Sequence, residues 1–197
     1  MYAQVIVGKA KDAGTFKESN ERWQTELKPG AKGFLGSTWG IADDSTTVMV
    51  VRFESEAAAK ANSDRPEQGA FFAEASENFE APPTFYNCPE VEVFGKGGSD
   101  DAGFVQVMIY KPKDVAALRA ASAVFEKFAS DRPDLLGGTS AFASDGSVID
   151  TSYFTSEAEA REGEKKEMPA EMQDAMQSIG ENMGDIRYID LRDPRFS

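Results

Sequence analysis

Residues Gly33–Ala59 read GFLGSTWGIADDSTTVMVVRFESEAAA. Two apolar runs flank a polar turn at Asp43–Ser45, and the second ends in Phe-Glu-Ser-Glu-Ala. This pattern predicts a β-hairpin followed at once by a helix, with Ser55 placed to cap it. The same text returns about a hundred residues later as Leu136–Ala160, LGGTSAFASDGSVIDTSYFTSEAEA. Gly36 answers to Gly137, Thr38 to Thr139, Asp44 to Asp145, Phe53 to Phe154, and Ser55-Glu56-Ala57 to Ser156-Glu157-Ala158. The chain is written twice.

Further toward the N-terminus, Ala3–Lys9 (AQVIVGK) is apolar on both faces, as a strand covered on two sides should be. Its counterpart is Val105–Lys111 (VQVMIYK). In both, a Gln-Val pair is followed by two lysines and an aspartate at matching places: Gln4, Lys9, Lys11 and Asp12 against Gln106, Lys111, Lys113 and Asp114. A helix is expected from Asp12 to Lys28, with Phe16, Asn20, Trp23 and Leu27 as its buried stripe. Leu118, Ser122, Phe125 and Ala129 take the same places in the second copy. Asn20 and Ser122 are thus single polar groups among apolar neighbours. Each can bond to its own helix backbone or serve as a polar contact in a cavity between helix and sheet.

After the hairpin, helical pieces are expected at Glu56–Ala61 and from about Glu67 to Phe79, the second with Phe71, Phe72, Ala75 and Phe79 inward. Pro82-Pro83 then leads through Tyr86, Asn87 and Cys88 to a last strand at Val91–Phe94. The second copy repeats this with Glu157–Lys165, Ala170–Met183 and a last strand at Ile186–Leu191. Met168, Met172, Met176, Ile179 and Met183 form a stripe read as core. Each copy therefore has the order β-α-β-β-α-β, a ferredoxin-like repeat. The first repeat is assigned to residues 1–95, a Gly-rich linker to 96–103, and the second repeat to 104–197. One such unit leaves a sheet face bare, so the α+β fold expected is two repeats packed sheet to sheet as an intramolecular barrel, a monomer built as a pseudo-dimer. Further homodimerisation through the outer faces stays open.

Composition narrows the chemistry. At 197 residues, with 41% hydrophobic and 11% aromatic residues, the chain can bury a core. No apolar run reaches the length of a membrane span, and Met1-Tyr2-Ala3-Gln4 passes straight into a strand without a basic leader, which points to the cytoplasm. The net charge of −13 disfavours nucleic acid and anionic membranes as partners. No histidine occurs, and Cys88 is the one cysteine. This removes histidine-based nucleophile systems, histidine-ligated metals, thiolate zinc sites and internal disulfides. No carboxylate loop has calcium spacing, so no metal site is expected. Cys88 lacks a base partner and reads as a buried filler.

The segment GFLG at Gly33–Gly36, the turn, and VVRFES at Val50–Ser55 before a helix resemble the antibiotic biosynthesis monooxygenase family. The resemblance covers about Gln4 to Phe94 well and Gln106 to Leu191 more loosely. It implies a dimeric α+β barrel whose relatives oxidise quinols and polyketides or degrade haem. The haem-degrading branch uses a first-strand asparagine, a tryptophan before the Glu-Ser helix start and a helical histidine. Here Ile6 or Met108, Phe53 or Phe154, and no histidine stand in those places, which argues against haem. The cofactor-free branch needs only an apolar pocket with polar groups that bind and deprotonate a phenol, so no cofactor is expected.

The resemblance further implies a pocket between each sheet and its own helices. If Phe53 and Phe154 face it, strand alternation brings Met49 and Val51, or Asp150 and Ser152, to the same side. The candidate catalytic residues are Asp150, Tyr110 and Asn20, with Asp150 beside Tyr110 as a general base raised by desolvation or, alternatively, a solvated carboxylate. The candidate substrate-binding residues are Gln4, Trp23, Trp39, Phe53, Gln106, Ser122, Ser152 and Phe154. Trp39 fits either a pocket or, by preference, the core. Two functions lead: a cofactor-independent monooxygenase acting on a small aromatic or polyketide-like molecule, and a non-catalytic small-molecule binder or scaffold of the same fold. A third, an obligate partner-binding subunit, would need an exposed apolar patch.

Overall fold

The computed structural model describes residues 1–128, 132–166 and 169–197, and of residues 125–128 and 171 the backbone alone. It forms two compact units, Met1–Val91 with Asp193–Ser197, and Glu92–Arg192. The first runs β1 (Tyr2–Lys9), α1 (Ala13–Glu26), β2 (Phe34–Ile41), β3 (Thr46–Phe53), α2 (Glu56–Ser63), α3 (Pro66–Ser76) and β4 (Thr84–Cys88). Its antiparallel strands lie in the order β2-β3-β1-β4, the ferredoxin-like arrangement. After β5 (Glu90–Gly95) the pattern repeats as β6 (Phe104–Tyr110), α4 (Val115–Phe128), β7 (Leu135–Phe142), β8 (Val148–Phe154), α5 (Glu157–Glu164), α6 (Ala170–Met183) and β9 (Arg187–Leu191). That sheet is ordered β7-β8-β6-β9. No helix among the described residues is long and apolar enough to cross a membrane.

Each sheet has a fifth strand, and it corrects the reading of Val91–Phe94. The last strand of the first repeat is β4, with Cys88 buried and Tyr86 half-buried on one side. Residues Glu90–Gly95 instead form β5 beside β7 in the second sheet. The first sheet is completed by β10 (Arg195–Phe196), which pairs with β2 through Arg195 opposite Trp39 and Phe196 opposite Thr38. The continuation of each repeat thus covers an edge that would otherwise present unpaired backbone groups.

The duplicated text produces duplicated backbone. The register slips between Phe34 and Gly36 and again between Leu135 and Gly137. Gly36 and Gly137 have φ of 139° and 143°, a region closed to most side chains, so the repeated glycine marks a β-bulge. In the hairpin turns, Asp44 Oδ1 accepts from the Thr46 amide at 3.0 Å and Asp145 Oδ1 from the Ser147 amide at 2.9 Å. Ser55 and Ser156 cap α2 and α5, accepting from the amides of Ala58 and Glu159 at 3.2 Å each. A further repeated device went unread in the sequence. The Asn78 side chain accepts from the Asp12 amide and donates to the Asp12 carbonyl, while Lys11 Nζ donates to the Glu77 carbonyl. Asn182, Asp114, Lys113 and Glu181 do the same in the second unit. The Lys-Asp and Glu-Asn pairs that occur once per copy were its signal.

Both faces of each sheet are buried. Val5, Val48 and Val50, and likewise Val105, Val107 and Ile149, lie on the faces turned away from the helices. On the helix side of the first sheet, Ala10, Phe16, Trp39 and Phe79 form one cluster and Tyr2, Phe53 and Ala59 another. On the helix side of the second, Tyr110, Leu118, Val148 and Met183 pack together, as do Phe104, Phe154 and Ala160. The α4 stripe differs from expectation. Leu118 and Ala121 are buried, whereas Ser122 is exposed, because one residue beyond Ala121 is a rotation of about 100° away from the sheet. In α6, Ala175 and Met183 are buried and Met176 is 42% exposed, so the methionine stripe is core only in part. Ala129 and Met168, and the side chain of Phe125, lie outside the described residues.

Candidate functional site

In the first unit a cavity of about 270 Å³ lies between the helix-facing side of the sheet and α1, α2 and α3. Its floor is set by strand alternation: Gln4 and Ile6 from β1, Phe34, Ser37 and Trp39 from β2, and Met49, Val51 and Phe53 from β3. Phe16, Ser19, Asn20 and Trp23 project from α1 at helical spacing. Asn62 and Ser63 come from the end of α2, and Gln68, Gly69, Phe71, Phe72 and Ala75 from α3. Phe79 and Phe85 complete the lining. The residues Gln4, Asn20, Trp23, Trp39 and Phe53, which the sequence singled out, therefore meet around one space.

The walls are held by ring contacts and a few hydrogen bonds. Trp39 meets Phe16 edge to face at 5.9 Å, which places it on the helix side of the sheet and not in the face opposite. Trp23 packs on Phe34 at 5.2 Å and donates its indole N–H to Gln68 Oε1 at 2.8 Å. Asn20 donates to the Phe16 carbonyl at 2.8 Å, the helix-backbone bond, and its own carbonyl oxygen has no donor among the described residues. Gln4 donates to Asn87 Oδ1 at 3.0 Å, an atom that also accepts from the Tyr2 hydroxyl at 2.9 Å. Asn62 Oδ1 is taken by Arg65 at 2.9 Å. Every polar side chain in the lining is a neutral amide, hydroxyl or indole; none is ionisable.

In the second unit the sequence brings different groups to the corresponding places. Tyr110 stands where the first unit has Gly8, Ser140 where it has Trp39, and Asp150 where it has Met49. The Tyr110 hydroxyl donates to Asp150 Oδ2 at 2.7 Å, while Asp150 Oδ1 is shut off from solvent without a hydrogen-bond partner among the described residues. Burial pushes the Asp150 carboxyl up from its ordinary value, with Glu92 adding to the rise, and the Ser140 and Tyr110 hydroxyls pull it down by less. Burial, then Asp150, pushes the Tyr110 phenol up. Gln106 donates to Asp190 Oδ1 at 2.9 Å, Ser152 is buried opposite it in register, and Phe154 packs on Phe104 at 5.9 Å. Exposed on α4, Ser122 does not join this group. Cys88 is fully buried.

The raised Asp150 carboxyl has a consequence for stability. A group that holds its proton more tightly when folded contributes fully below its unfolded value, and that contribution is lost as pH rises toward and through the folded value. Asp150→Asn keeps an acceptor for Tyr110 and removes the charge. It is expected to raise the melting temperature above wild type at pH 8, and the difference should shrink toward pH 4. Thermal melts across that range check it; an equal shift at every pH would exclude Asp150 as the source.

No family model matches the sequence, and no curated protein does. Solved structures match over nearly the whole chain. A proposed monooxygenase of Lactobacillus acidophilus superposes with a TM-score of 0.74 at 12% identity, over 98% of this chain and 95% of that one. An anthrone oxidase-like protein gives 0.69 at 9% identity, over 99% and 92%. A ferredoxin-fold protein of Listeria monocytogenes related to antibiotic biosynthesis monooxygenases gives 0.52 at 12%, over 96% and 92%. A haem-degrading enzyme of the same species shares the fold with a TM-score of 0.55 at 10% identity, over 96% of this chain and 97% of that one. At such identities the likeness is one of fold. The chain carries, twice in one polypeptide, the ferredoxin-like α+β fold of the antibiotic biosynthesis monooxygenase-like proteins.

Proposed function

We propose that the protein acts on a small, uncharged aromatic molecule of the polyketide kind, held in the cavity of the first unit, as a cofactor-independent monooxygenase. The observation that carries this reading is the cavity itself: about 270 Å³, walled by aromatic rings, with a few neutral hydrogen-bonding groups and no charge. The rings form two contact groups, Trp23 and Phe53 about Phe34, and Trp39 and Phe79 about Phe16, and offer apolar faces to a flat ring system. The open carbonyl of Asn20 accepts from a phenol or enol. Oxidation of an anthrone-type substrate inserts one oxygen atom of O2 as a carbonyl and releases the other as water with the two hydrogens of the reacting carbon. The substrate carbon supplies all four electrons that reduce O2, so no resident redox group is required.

Asn20 Nδ2 is committed to the Phe16 carbonyl and the cavity holds no ionisable side chain. That observation favours the second reading, a binder without turnover. Anthrone separates the two. Titration monitored by the fluorescence of Trp23 and Trp39 is expected to saturate, and an oxygen electrode is expected to record one O2 consumed per anthrone above the uncatalysed rate. Saturable quenching without oxygen uptake would establish the binder; absence of both would end the assignment of this cavity.

A further inference from the structure

The helix α3 supplies a quarter of the cavity lining by name (Gln68, Gly69, Phe71, Phe72 and Ala75), yet none of its own residues is buried. A wall with one side on a cavity and the other in solvent has little packing to hold it. Beside one ring contact, Phe72 on Phe85 at 5.5 Å, polar ties do so. Arg22 of α1 reaches Glu74 of α3 as a two-pronged pair, Nη1 to Oε1 and Nη2 to Oε2, both at 2.8 Å. The same guanidinium sits 5.0 Å from the centre of the Phe71 ring. The next residue on α1, Trp23, bonds through its indole to Gln68 of α3 at 2.8 Å. Glu74 is held below the usual carboxylate range by Arg22, so the pair is ionised at neutral pH.

The two ends of this segment are fixed far more firmly than its middle. Before α3, Arg65 donates to the Leu27 carbonyl at 3.0 Å and to Asn62 Oδ1 at 2.9 Å, tying the α2–α3 corner to the end of α1. After α3, Phe79 is buried and Asn78 is bonded twice to the Asp12 backbone. Gly69, at the cavity side, has no atom within 4 Å of where a side chain would start. A segment anchored at both ends and latched in its last turn by an exposed ion pair can swing without unfolding what flanks it.

We propose that α3 is the lid of the cavity and that the Arg22–Glu74 pair is its latch, opening to admit and release the ligand. This rests on the reading that the cavity binds a small molecule, and the test is built so that the two fail separately. Neither latch residue lines the cavity, so Glu74→Gln should speed both association and dissociation of a neutral probe, N-phenyl-1-naphthylamine, in stopped-flow fluorescence. The expected increase is about three- to fivefold in each rate, the range an exposed pair commonly supplies, with the dissociation constant changing by less than about twofold. Raising salt should speed wild type and leave Glu74→Gln unchanged, since screening removes the same interaction. Probe binding with rates indifferent to both changes would overturn the lid and leave the cavity reading intact. The second measurement needs no ligand: amide exchange in Pro66–Ser76 should quicken in Glu74→Gln while α1 stays unchanged. Unaltered exchange there would overturn the lid even if no probe bound.

Discussion

Replacing Val51 with tryptophan is expected to weaken binding of anthrone by at least about thirtyfold, equivalent to roughly 2 kcal/mol. Val51 is half-buried on the helix-facing side of β3 and lines the cavity floor between Met49 and Phe53. An indole there occupies space the ligand would need, and little must move to receive it. The fold should therefore lose only about 1 kcal/mol, the low end of the cost of adding bulk to a core. Equilibrium dialysis gives the affinity and thermal denaturation the stability. Unchanged affinity in a folded variant would mean that the aromatic binds elsewhere.

The largest expected loss of stability is at Gly138. A Cβ at that position would lie 2.1 Å from Phe94 Cζ and 2.3 Å from the Thr151 carbonyl oxygen. The first of these can move; the second belongs to the backbone of β8, the neighbouring strand. Gly138→Ala should cost about 3 kcal/mol, at the upper end for overpacking, because β5 must lift from the edge of β7 or the sheet must distort. Ser37 occupies the equivalent place in the first unit, where its Oγ lies 2.5 Å from Ser197 Oγ. Ser37→Gly should accordingly cost much less. Urea denaturation of the two variants side by side tests the contrast, and similar losses would show that close approach of the fifth strand is not what fixes Gly138.

The repeat, the ferredoxin-like order and the floor of the cavity were legible because each follows from local text. A bulge glycine, a capping serine and the alternation Met49, Val51, Phe53 all carry their meaning within a few residues. Strand alternation likewise placed Asp150 on the side of Tyr110. The fifth strands were not legible. Val91–Phe94 looks like a strand whichever sheet it joins, and Arg195–Phe196 is too short to show any period; their partners are set by pairing across the chain. Trp39 was ambiguous because both faces of its sheet are buried, so alternation fixes its side only once a neighbour's side is known. On α4, Ser122 was misplaced by one position, which on a helix is enough to turn a wall residue outward. The lid could not be read at all, since Arg22 and Glu74 are distant in sequence and each looks like an ordinary solvated charge.

The exchange of terminal segments has a consequence for how this protein can be divided. A fragment cut at the Gly-rich stretch would carry β5 with no β7 to lie on, and would leave β2 without β10. The boundary that composition marks most plainly is thus a poor place for scissors. Circular permutation that keeps β4 joined to β5 and β9 to β10 respects the weave, whereas a simple halving unpicks it at two seams.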